Sequence, residues 1–177
     1  MKKNIPDNSR RKFIFTVGIS AIGLPLLSSF GSLDDLISNK KKLGIALVGL
    51  GKYAAEQLAP ALLQTEDCYL AGIVTGTPSK IPIWKEKYNI PDKNIYNYEN
   101  FDSIKNNPDI DIVYIVLPNS MHAEYTIRAA EAGKDVICEK PMAISSTQCS
   151  EMIIAAEKYN KTIFVVKQNR YNEPVQQ

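Results

Sequence analysis

The most regular feature of the sequence is the alternation of short apolar runs with longer amphipathic stretches from Leu43 onward. The apolar runs are predicted to be buried strands, and they lie at Leu43–Val48, 69–75, 110–117, 135–138 and 163–166. The run at 110–117 is the most hydrophobic, which is typical of a central parallel strand buried on both faces. Strands that alternate with helices predict an α/β fold with a doubly wound parallel sheet.

The connections between these runs carry apolar residues at helical spacing. Residues 54–64 are predicted to form a helix, and Pro60 is expected to kink it or to begin its second half. Shorter helical segments are predicted at 82–88 and 101–106, with 90–94 as a loop that leads into 95–98. The face of the first helix that is predicted to pack on the sheet consists of Ala55, Leu58 and Leu62.

Signals for helix ends place two further helices after the later strands. Asn119 or Ser120 is predicted to cap the first of them, and Gly133 to end it. Ser145 is predicted to begin the second, with Gln148 completing a capping box. The predicted inward-facing residues are Ala123, Ile127 and Ala130 in the first helix and Cys149, Met152, Ile153 and Ala156 in the second.

The first strand runs directly into Gly49-Leu50-Gly51-Lys52-Tyr53-Ala54 and then into a helix. Gly-x-Gly-x-x-Ala between a strand and a helix is the order of a dinucleotide-binding fingerprint. In that interpretation Gly49 allows a tight turn, Gly51 lets the backbone approach a pyrophosphate, and Ala54 lets the helix pack closely on the strand. The amino end of the helix then faces the phosphates. The same pattern also fits a plain strand–turn–helix, so it does not decide the function by itself.

The end of the second strand bears on the choice between NAD and NADP. Many dinucleotide-binding folds place an acidic residue there, about 20 residues beyond the glycine turn, to hold the 2′-hydroxyl of NAD. This chain has Thr75-Gly76-Thr77-Pro78-Ser79-Lys80, with no carboxylate to repel a 2′-phosphate. Its hydroxyls can donate hydrogen bonds and Lys80 supplies a positive charge, so a preference for NADP is predicted. The alternative is a solvated turn without a ligand.

Composition and charge change this picture little. The 177 residues suffice for one ordinary domain with its own core, and 45% hydrophobic with 23% charged residues is normal for a globular protein. A net charge of +2 gives no indication of nucleic-acid binding. The three cysteines lack a metal-like spacing, so no metal site is predicted. Cys138 and Cys149 are expected to be small core residues, and an odd number of cysteines argues against a disulfide framework.

Residues 1–31 resemble an export signal. Ser9-Arg10-Arg11-Lys12-Phe13-Ile14 precedes an uncharged stretch that reaches Gly31, and the adjacent arginines resemble a twin-arginine (Tat) signal. Recognition by the Tat export machinery and a periplasmic location are therefore expected. A membrane span of about 17 residues interrupted by Pro25 is short, but a retained membrane anchor is an alternative to cleavage. Residues 32–42 are predicted to be a polar linker.

Glu139-Lys140-Pro141 directly follows the fourth predicted strand, and its combination with the glycine turn resembles the Gfo/Idh/MocA family of sugar oxidoreductases. The resemblance implies a Rossmann-like NAD(P)-binding domain at 43–177. Within the family, three segments look closest to the glucose–fructose oxidoreductase branch: the glycine turn at 49–54, Tyr96-Asn97-Tyr98 and residues 117–124. The tail at 167–172 is more like relatives that oxidise nucleotide-linked sugar acids, so these signals disagree about the substrate.

The resemblance implies roles for residues at the carboxyl ends of the strands. It assigns the pyrophosphate to the glycine turn, the adenosine ribose and its phosphate to the end of the second strand, and the nicotinamide half to the later turns. The implied cofactor-binding residues are Gly49, Leu50, Gly51, Lys52, Tyr53, Thr75, Gly76, Lys80, Tyr98, Leu117, Pro118, Asn119, His122, Glu139, Lys140 and Arg170.

Plainer alternatives exist for several of these residues. For His122 the alternative is an ordinary surface position in the first turn of a helix. For Glu139 and Lys140 it is a solvated charge pair.

The family transfers a hydride between a sugar carbon and a nicotinamide ring. Such a site needs a base for the hydroxyl proton and a cation to stabilise developing negative charge. Lys140, which the resemblance places facing the substrate, is expected to be the catalytic cation, or to relay the proton if burial favours its neutral form. In the family the principal acid/base is typically a histidine in a second domain, which often forms the oligomer interface.

We therefore expect this chain to be the NAD(P)-binding part of an exported oxidoreductase, without the substrate domain and inactive by itself. The full-length form is expected to act on a small sugar or nucleotide-sugar substrate and to be a homo-oligomer. The alternatives are a stand-alone nucleotide-binding module and a nucleotide-sugar dehydrogenase.

Overall fold

The computed structural model describes residues 41–171, and within them the apolar runs form one six-stranded parallel sheet. The strands are β1 (Leu43–Val48), β2 (Cys68–Val74), β3 (Ile95–Tyr96), β4 (Ile112–Ile115), β5 (Asp135–Cys138) and β6 (Ile163–Val165). Their order in the sheet is β3-β2-β1-β4-β5-β6, with every neighbouring pair parallel. The chain starts in the middle, moves to one edge and then crosses to the other half. The predicted doubly wound α/β fold is therefore confirmed.

Helices fill the connections between the strands. A π-helical turn at Ala54–Leu58 leads into α1, in which Pro60 lies in the first turn, as predicted. Shorter 3₁₀ turns lie at Pro78–Lys80, Asp92–Asn94, Phe101–Asn106, Asn119–Met121 and Gln168–Tyr171. The α-helices are α1 (Ala59–Leu62), α2 (Ile81–Tyr88), α3 (His122–Glu131) and α4 (Ser146–Tyr159).

The strand predictions differ from the structure mainly at the ends. β1 and β5 have the predicted bounds, whereas β4 is two residues shorter at each end than the apolar run at 110–117. β3 was not predicted, because an element of two residues has no recognisable period. It is a strand because its residues pair with Ile73 and Val74 of β2.

Both faces of the sheet are covered, so the core has two halves. Side chains that alternate along the strands point to opposite faces. Val48, Val113 and Ile115 pack with α3 and α4 on one face, while Leu47 and Ile73 pack with α1 and α2 on the other. The predicted inward faces are confirmed for Ala55, Leu58, Leu62, Ala123, Ile127, Ala130, Met152 and Ala156.

The predicted cap of α3 is wrong. A 3₁₀ turn intervenes after β4, so α3 begins only at His122 and no side chain caps it. Neither Asn119 nor Ser120 therefore has the predicted role. Gly133 follows the end of α3 with a φ of +73°, as predicted.

Two details of α4 also differ from the prediction. The Ser145 hydroxyl oxygen caps the helix by accepting from the Gln148 amide at 3.2 Å, but Gln148 Oε1 accepts from the Ile144 amide at 3.3 Å instead of closing a reciprocal capping box. Ile153 is 49% exposed. The inward face is centred on Met152, and the next residue lies about 100° further round the helix.

Buried polar contacts tie the strands together at their amino ends. Lys134 Nζ donates to the Asn107 and Ile110 carbonyls at 2.8 and 2.7 Å, and burial lowers the pKa of Lys134. Asn107 Nδ2 also donates to Asn94 Oδ1 at 2.6 Å and to the Tyr96 hydroxyl at 2.8 Å. These contacts fix the end of the sheet that lies opposite the predicted site.

The predicted export signal and most of the predicted linker lie outside the described residues. From residue 41 to 171, no helix has the length and apolar character that a membrane crossing requires. Over the same range, Cys68, Cys138 and Cys149 are free thiols, with Cys138 buried.

Candidate functional site

The carboxyl ends of the parallel strands form one rim of the sheet, and most of the predicted site residues lie along it. The strand order reverses between β1 and β4, because the chain leaves β1 toward β2 and later crosses back to β4. Open α/β sheets bind ligands in the crevice at such a reversal. The turns after β1 and β4 flank this crevice, and the turns after β2 and β5 extend it on either side.

Gly49 closes the turn after β1 against the end of β4. Its φ of +94° lies in the region that favours glycine, and a Cβ there would be 2.5 Å from the Val116 carbonyl oxygen. The Gly49 amide donates to the Val74 carbonyl at 3.0 Å, and the Val116 amide donates to the Val48 carbonyl at 2.8 Å. The turn is held from both sides, which confirms the predicted reason for a glycine here.

The helix after this turn presents backbone amides at the rim. Helical geometry begins at Lys52, and the first helical hydrogen bond after the turn joins the Ala55 amide to the Gly51 carbonyl at 3.0 Å. The amides between these residues have no partner within the helix. A Cβ on Gly51 would meet no other described atom within 4 Å, and Ala54 is fully buried against the sheet. An open glycine backbone beside free amides fits a pyrophosphate.

Lys80 connects the turn after β2 to the glycine turn. Its Nζ donates to the Leu50 carbonyl at 2.6 Å, so the ammonium group crosses from one turn to the other. Thr75 is buried, and its hydroxyl oxygen accepts from the Thr77 amide at 3.1 Å. The predicted phosphate-binding residues of the second turn therefore lie next to the predicted pyrophosphate site.

Tyr98 forms a wall over Gly76. A Cβ on Gly76 would lie 2.7 Å from Cε2 and 3.0 Å from Cδ2 of the Tyr98 ring. Burial raises the pKa of Tyr98, and a hydrogen bond with the Gly76 backbone opposes that rise. The ring also packs edge-on against Tyr125, with the centroids 5.5 Å apart. The Tyr98 hydroxyl thus lies beside the turn at 75–80.

Glu139 is almost buried, and its carboxylate accepts two hydrogen bonds. The Tyr114 hydroxyl donates to its Oε1 at 2.9 Å, and the Lys140 amide donates to its Oε2 at 3.3 Å. Burial first, and then the Glu139 charge and a hydrogen bond to it, raise the pKa of Tyr53. Glu139 therefore joins the glycine turn to the turn after β5. Because only 9% of Glu139 is exposed, the alternative of a solvated charge pair is wrong for this residue.

Lys140 lies in the turn after β5, on the same rim of the sheet. Its side chain is exposed and lines a cavity of about 410 Å³ together with Lys167, Gln168 and Asn169. The alternative in which Lys140 relays the proton depended on burial of this side chain, and the side chain is not buried. In this arrangement Lys140 presents a cation to whatever occupies the cavity.

His122 does not lie at the surface, because only 1% of it is exposed. Its Nδ1 is 2.7 Å from the Pro141 carbonyl oxygen and its Nε2 is 2.9 Å from the Leu117 carbonyl oxygen. The ring joins the turn after β4 to the turn after β5. It presents no free nitrogen to a cofactor in this conformation, and the surface alternative is wrong.

The remaining predicted residues differ in their placement. Leu117 is buried, whereas Pro118 and Asn119 are exposed at the crevice between β1 and β4. Arg170 is exposed on the 3₁₀ turn after β6 and lines a different cavity, next to Phe164 at the sheet edge. The structure therefore does not bring Arg170 into the cavity that Lys140 lines.

Two polar residues with contacts at the site were missed from the sequence. Tyr114 was interpreted only as part of a buried strand, although a hydroxyl in the otherwise apolar stretch at 112–117 is a signal that some partner must satisfy it. Arg128 lies on α3 and donates from Nη2 to the Tyr98 carbonyl at 3.2 Å. No sequence signal pointed to this contact, because the two residues are 30 positions apart. From 41 to 171, no cluster of His, Cys, Asp and Glu is arranged to hold a metal ion.

The fold and this rim define a nucleotide-binding α/β domain of the Rossmann type. A family model described as "Oxidoreductase family, NAD-binding Rossmann fold" matches residues 43–167. The chain belongs to this family, Gfo/Idh/MocA.

Three similar proteins place the chain within the family. The aldose-aldose oxidoreductase from Caulobacter crescentus, solved with glycerol, is 45% identical with a TM-score of 0.73, over 75% of this chain and 39% of that one. The WlbA dehydrogenase from Chromobacterium violaceum, solved with NADH and UDP-GlcNAcA, is 30% identical with a TM-score of 0.67, over 78% of this chain and 39% of that one. An uncharacterized oxidoreductase, ORF334 of Rhizobium meliloti, is 32% identical over 66% of this chain and 34% of its own length. The chain thus spans between a third and two fifths of these relatives.

Proposed function

We propose that this chain is the cofactor-binding part of an oxidoreductase that transfers a hydride between a sugar CH–OH group and a nicotinamide. The observation that carries the proposal is the joining of the glycine turn to Glu139 and Lys140 on one rim of the sheet. Glu139 raises the pKa of Tyr53, so the glycine turn and the turn after β5 approach each other from opposite sides of β4. A dinucleotide has two ends that must both be held, and these turns supply a site for each.

The chain's own residues divide the work of binding. The amides that follow Gly51 donate to the pyrophosphate, and Glu139 accepts from the hydroxyls of the nicotinamide ribose. A nicotinamide held by these residues would supply the carbon that accepts or gives the hydride. Lys140 holds a positive charge where the alkoxide of the sugar develops, which favours loss of the hydroxyl proton. The principal base belongs to the part of the relatives that this chain does not span.

NADP is the cofactor we propose. The turn at 75–80 has no carboxylate, Lys80 is part of it, and Tyr98 packs against it. We expect the protein to bind NADPH at least tenfold more tightly than NADH, a difference of about 1.4 kcal/mol. Fluorescence titration with each reduced cofactor measures it, and equal or tighter binding of NADH contradicts the preference. Failure of both cofactors to bind contradicts the proposed function itself.

An aldose is the substrate class that the relatives favour. The aldose-aldose oxidoreductase is the more similar of the two solved structures reported above, in line with the expected likeness to the glucose–fructose oxidoreductase branch. A nucleotide-sugar acid is the second candidate, because the WlbA dehydrogenase was solved with UDP-GlcNAcA. Steady-state assays of the full-length gene product with free aldoses and with UDP-sugar acids, each with both cofactors, distinguish the two.

We further propose that the isolated chain turns over little or no sugar. Reading the coding sequence beyond Gln177 tests this: a continuation of about 150–200 residues, the size of an ordinary domain, is expected. A stop codon at that point together with tight NADPH binding favours a stand-alone nucleotide-binding module. Measurable turnover by the chain alone contradicts the proposal that the base lies elsewhere. Separately, sedimentation of the full-length product measures its oligomeric state.

Export by the Tat route is a separate proposal. It rests on Arg10-Arg11 and the uncharged stretch that follows. A reporter fused to residues 1–42 is expected to be exported in a Tat-competent bacterium. Replacing both arginines by lysine is expected to block this export. Export that survives this change, or that persists in a strain without the Tat translocase, contradicts it. Sizing the exported reporter shows whether the leader is cleaved or retained as an anchor.

A further inference from the structure

Arg128 is held in one position on α3 by two aromatic rings and two carboxylates. Its guanidinium carbon lies 5.0 Å from the centroid of Phe101 and 4.8 Å from that of Tyr125. Its Nε and Nη2 donate to the two oxygens of Asp102 at 2.9 and 3.3 Å, and Nη1 donates to Glu124 at 3.1 Å. Only 21% of the side chain is exposed. These contacts fix the orientation of a planar group that can rotate freely in water.

The same guanidinium reaches the backbone of Tyr98. Nη2 donates to the Tyr98 carbonyl at 3.2 Å. The aromatic rings also link Arg128 to Tyr98. Tyr125, which lies against the guanidinium, packs edge-on against both Phe101 and Tyr98, with ring centroids 5.1 and 5.5 Å apart. Arg128 therefore restrains both the backbone and the ring of Tyr98, which no regular strand or helix holds.

Tyr98 packs directly against the turn at 75–80. Its ring lies so close to Gly76 that a Cβ there would be 2.7 Å from Cε2. Cζ, which carries the hydroxyl, would lie 3.8 Å from the same Cβ, so the hydroxyl is at the turn where the adenosine ribose is proposed to bind. A shift of Tyr98 therefore moves one hydrogen-bonding group of that subsite and leaves the glycine turn in place.

We propose that Arg128 is a positioning residue for cofactor selectivity, which holds the Tyr98 hydroxyl against Gly76 so that it donates to the 2′-phosphate of NADP. The inference rests on the proposed NADP preference and adds the residue that sets it. Arg128 acts through Tyr98 and not by its charge, because Asp102 and Glu124 face the guanidinium and offset that charge. A lysine at position 128 keeps the charge but lacks the planar fork, so it does not replace the arginine.

Two nucleotides that differ only in the 2′-phosphate are suitable probes: 2′,5′-ADP and 5′-AMP. Calorimetric titration of the whole chain is expected to show tighter binding of 2′,5′-ADP. R128M and R128K are each expected to weaken binding of 2′,5′-ADP about tenfold, the equivalent of one hydrogen bond to a charged group, and to leave binding of 5′-AMP within about twofold. K93M, which breaks the ion pair of Lys93 with Asp109 at the other end of the sheet, is the control and changes neither affinity.

A double-mutant cycle with Tyr98 tests whether the two residues act as one unit. Y98F alone is expected to reproduce the selective loss, and R128M in the Y98F background is expected to add less than about twofold. If the two losses multiply instead, Arg128 does not act through Tyr98 and the inference is wrong. Rescue of 2′,5′-ADP binding by R128K also overturns it, because charge alone is then sufficient.

The remaining outcomes separate this inference from the proposed function. If binding of 2′,5′-ADP and of 5′-AMP weakens equally in R128M, the residue has only a structural role, and the inference fails while the NADP preference stands. If the unchanged protein binds both probes equally, the NADP preference fails and the inference with it. Should R128M melt below the assay temperature, D102N removes the partner of the fork without touching the aromatic contacts. It is expected to give a smaller loss that is again confined to 2′,5′-ADP, and an equal loss of both probes overturns the inference.

Discussion

The Tyr114 hydroxyl donates a 2.9 Å hydrogen bond to Glu139 Oε1, which connects the middle of a central strand to the turn that follows its neighbour. Both residues are nearly buried. Burial, and then the bond to Glu139 and its charge, raise the pKa of Tyr114 far above its ordinary value, so the hydroxyl stays a donor at physiological pH. The orientation of the carboxylate at the rim is thus set from inside the sheet.

Tyr114→Phe removes this donor and keeps the ring. We expect weaker binding of NADPH and NADH by similar factors, because Glu139 is proposed to contact the nicotinamide ribose that both share. The unfolding free energy is expected to fall by about 1 kcal/mol, the net value of one hydrogen bond. Titration and urea unfolding measure the two effects. Tyr69→Phe, whose hydroxyl bonds the Asp109 carbonyl at the other end of the sheet, is the control and keeps cofactor affinity unchanged.

Gly49→Ala is expected to destabilise the fold. The φ of +94° disfavours any side chain, and the new Cβ would be 2.5 Å from the Val116 carbonyl oxygen. Such strain costs about 1–3 kcal/mol of unfolding free energy. Gly51→Ala has open space, so it is expected to keep the stability and weaken cofactor binding, because the methyl group occupies the approach to the backbone. If Gly51→Ala binds NADPH as tightly as the unchanged protein, the pyrophosphate does not lie at this turn.

His122→Ala leaves the Leu117 and Pro141 carbonyls without their partner. Whichever ring nitrogen carries the proton, at least one of these carbonyls loses a hydrogen bond, which costs about 1–3 kcal/mol, so a clear drop in unfolding free energy is expected. Ser120→Ala, an exposed neighbour on the preceding turn, is expected to stay within about 0.5 kcal/mol of the unchanged protein. Chemical denaturation measures both. Equal stability of the two variants would show that the ring does not join the two turns.

Cys138 makes the stability depend on pH in the alkaline range. Burial raises the pKa of its thiol from 9.0 to about 11. Between these values the unfolded chain has released the proton and the folded chain still holds it, so the unfolded state binds fewer protons and stability falls as pH rises. The loss is about 1.4 kcal/mol per pH unit, and the contribution is constant below pH 9.

Urea unfolding at intervals from pH 8 to pH 11 tests this dependence. Cys138→Ala is expected to be less stable at every pH because of the cavity, but to lose the part of the slope that the thiol contributes. Cys149→Ala, at a half-buried position on α4, keeps the slope. A slope that is the same in all three proteins would assign the pH dependence to other groups.

The sequence predicted the glycine turn, the strand before Glu139 and the inward face of α3, because each has a local pattern. The turn has its glycine spacing, and the strand and the helix have their runs of apolar residues. The predictions from the sequence were wrong or incomplete where an element has no such local pattern. β3 exists only because two residues pair with β2, and α3 begins after a 3₁₀ turn that displaces the expected cap. Ile153 was expected to face inward, and its position on the helix places it at the surface instead.

The sequence by itself determined the class of fold and the order of the turns along one rim, because apolar periodicity and glycine placement are local properties of the chain. Only the tertiary structure decided which side chains meet there. Tyr114 with Glu139, His122 with Pro141, and Arg128 with Tyr98 are separated by 19 to 30 residues, and each pair shares a hydrogen bond. Such contacts depend on the order and register of the strands, which bring distant turns to one edge of the sheet, and no local pattern encodes that register.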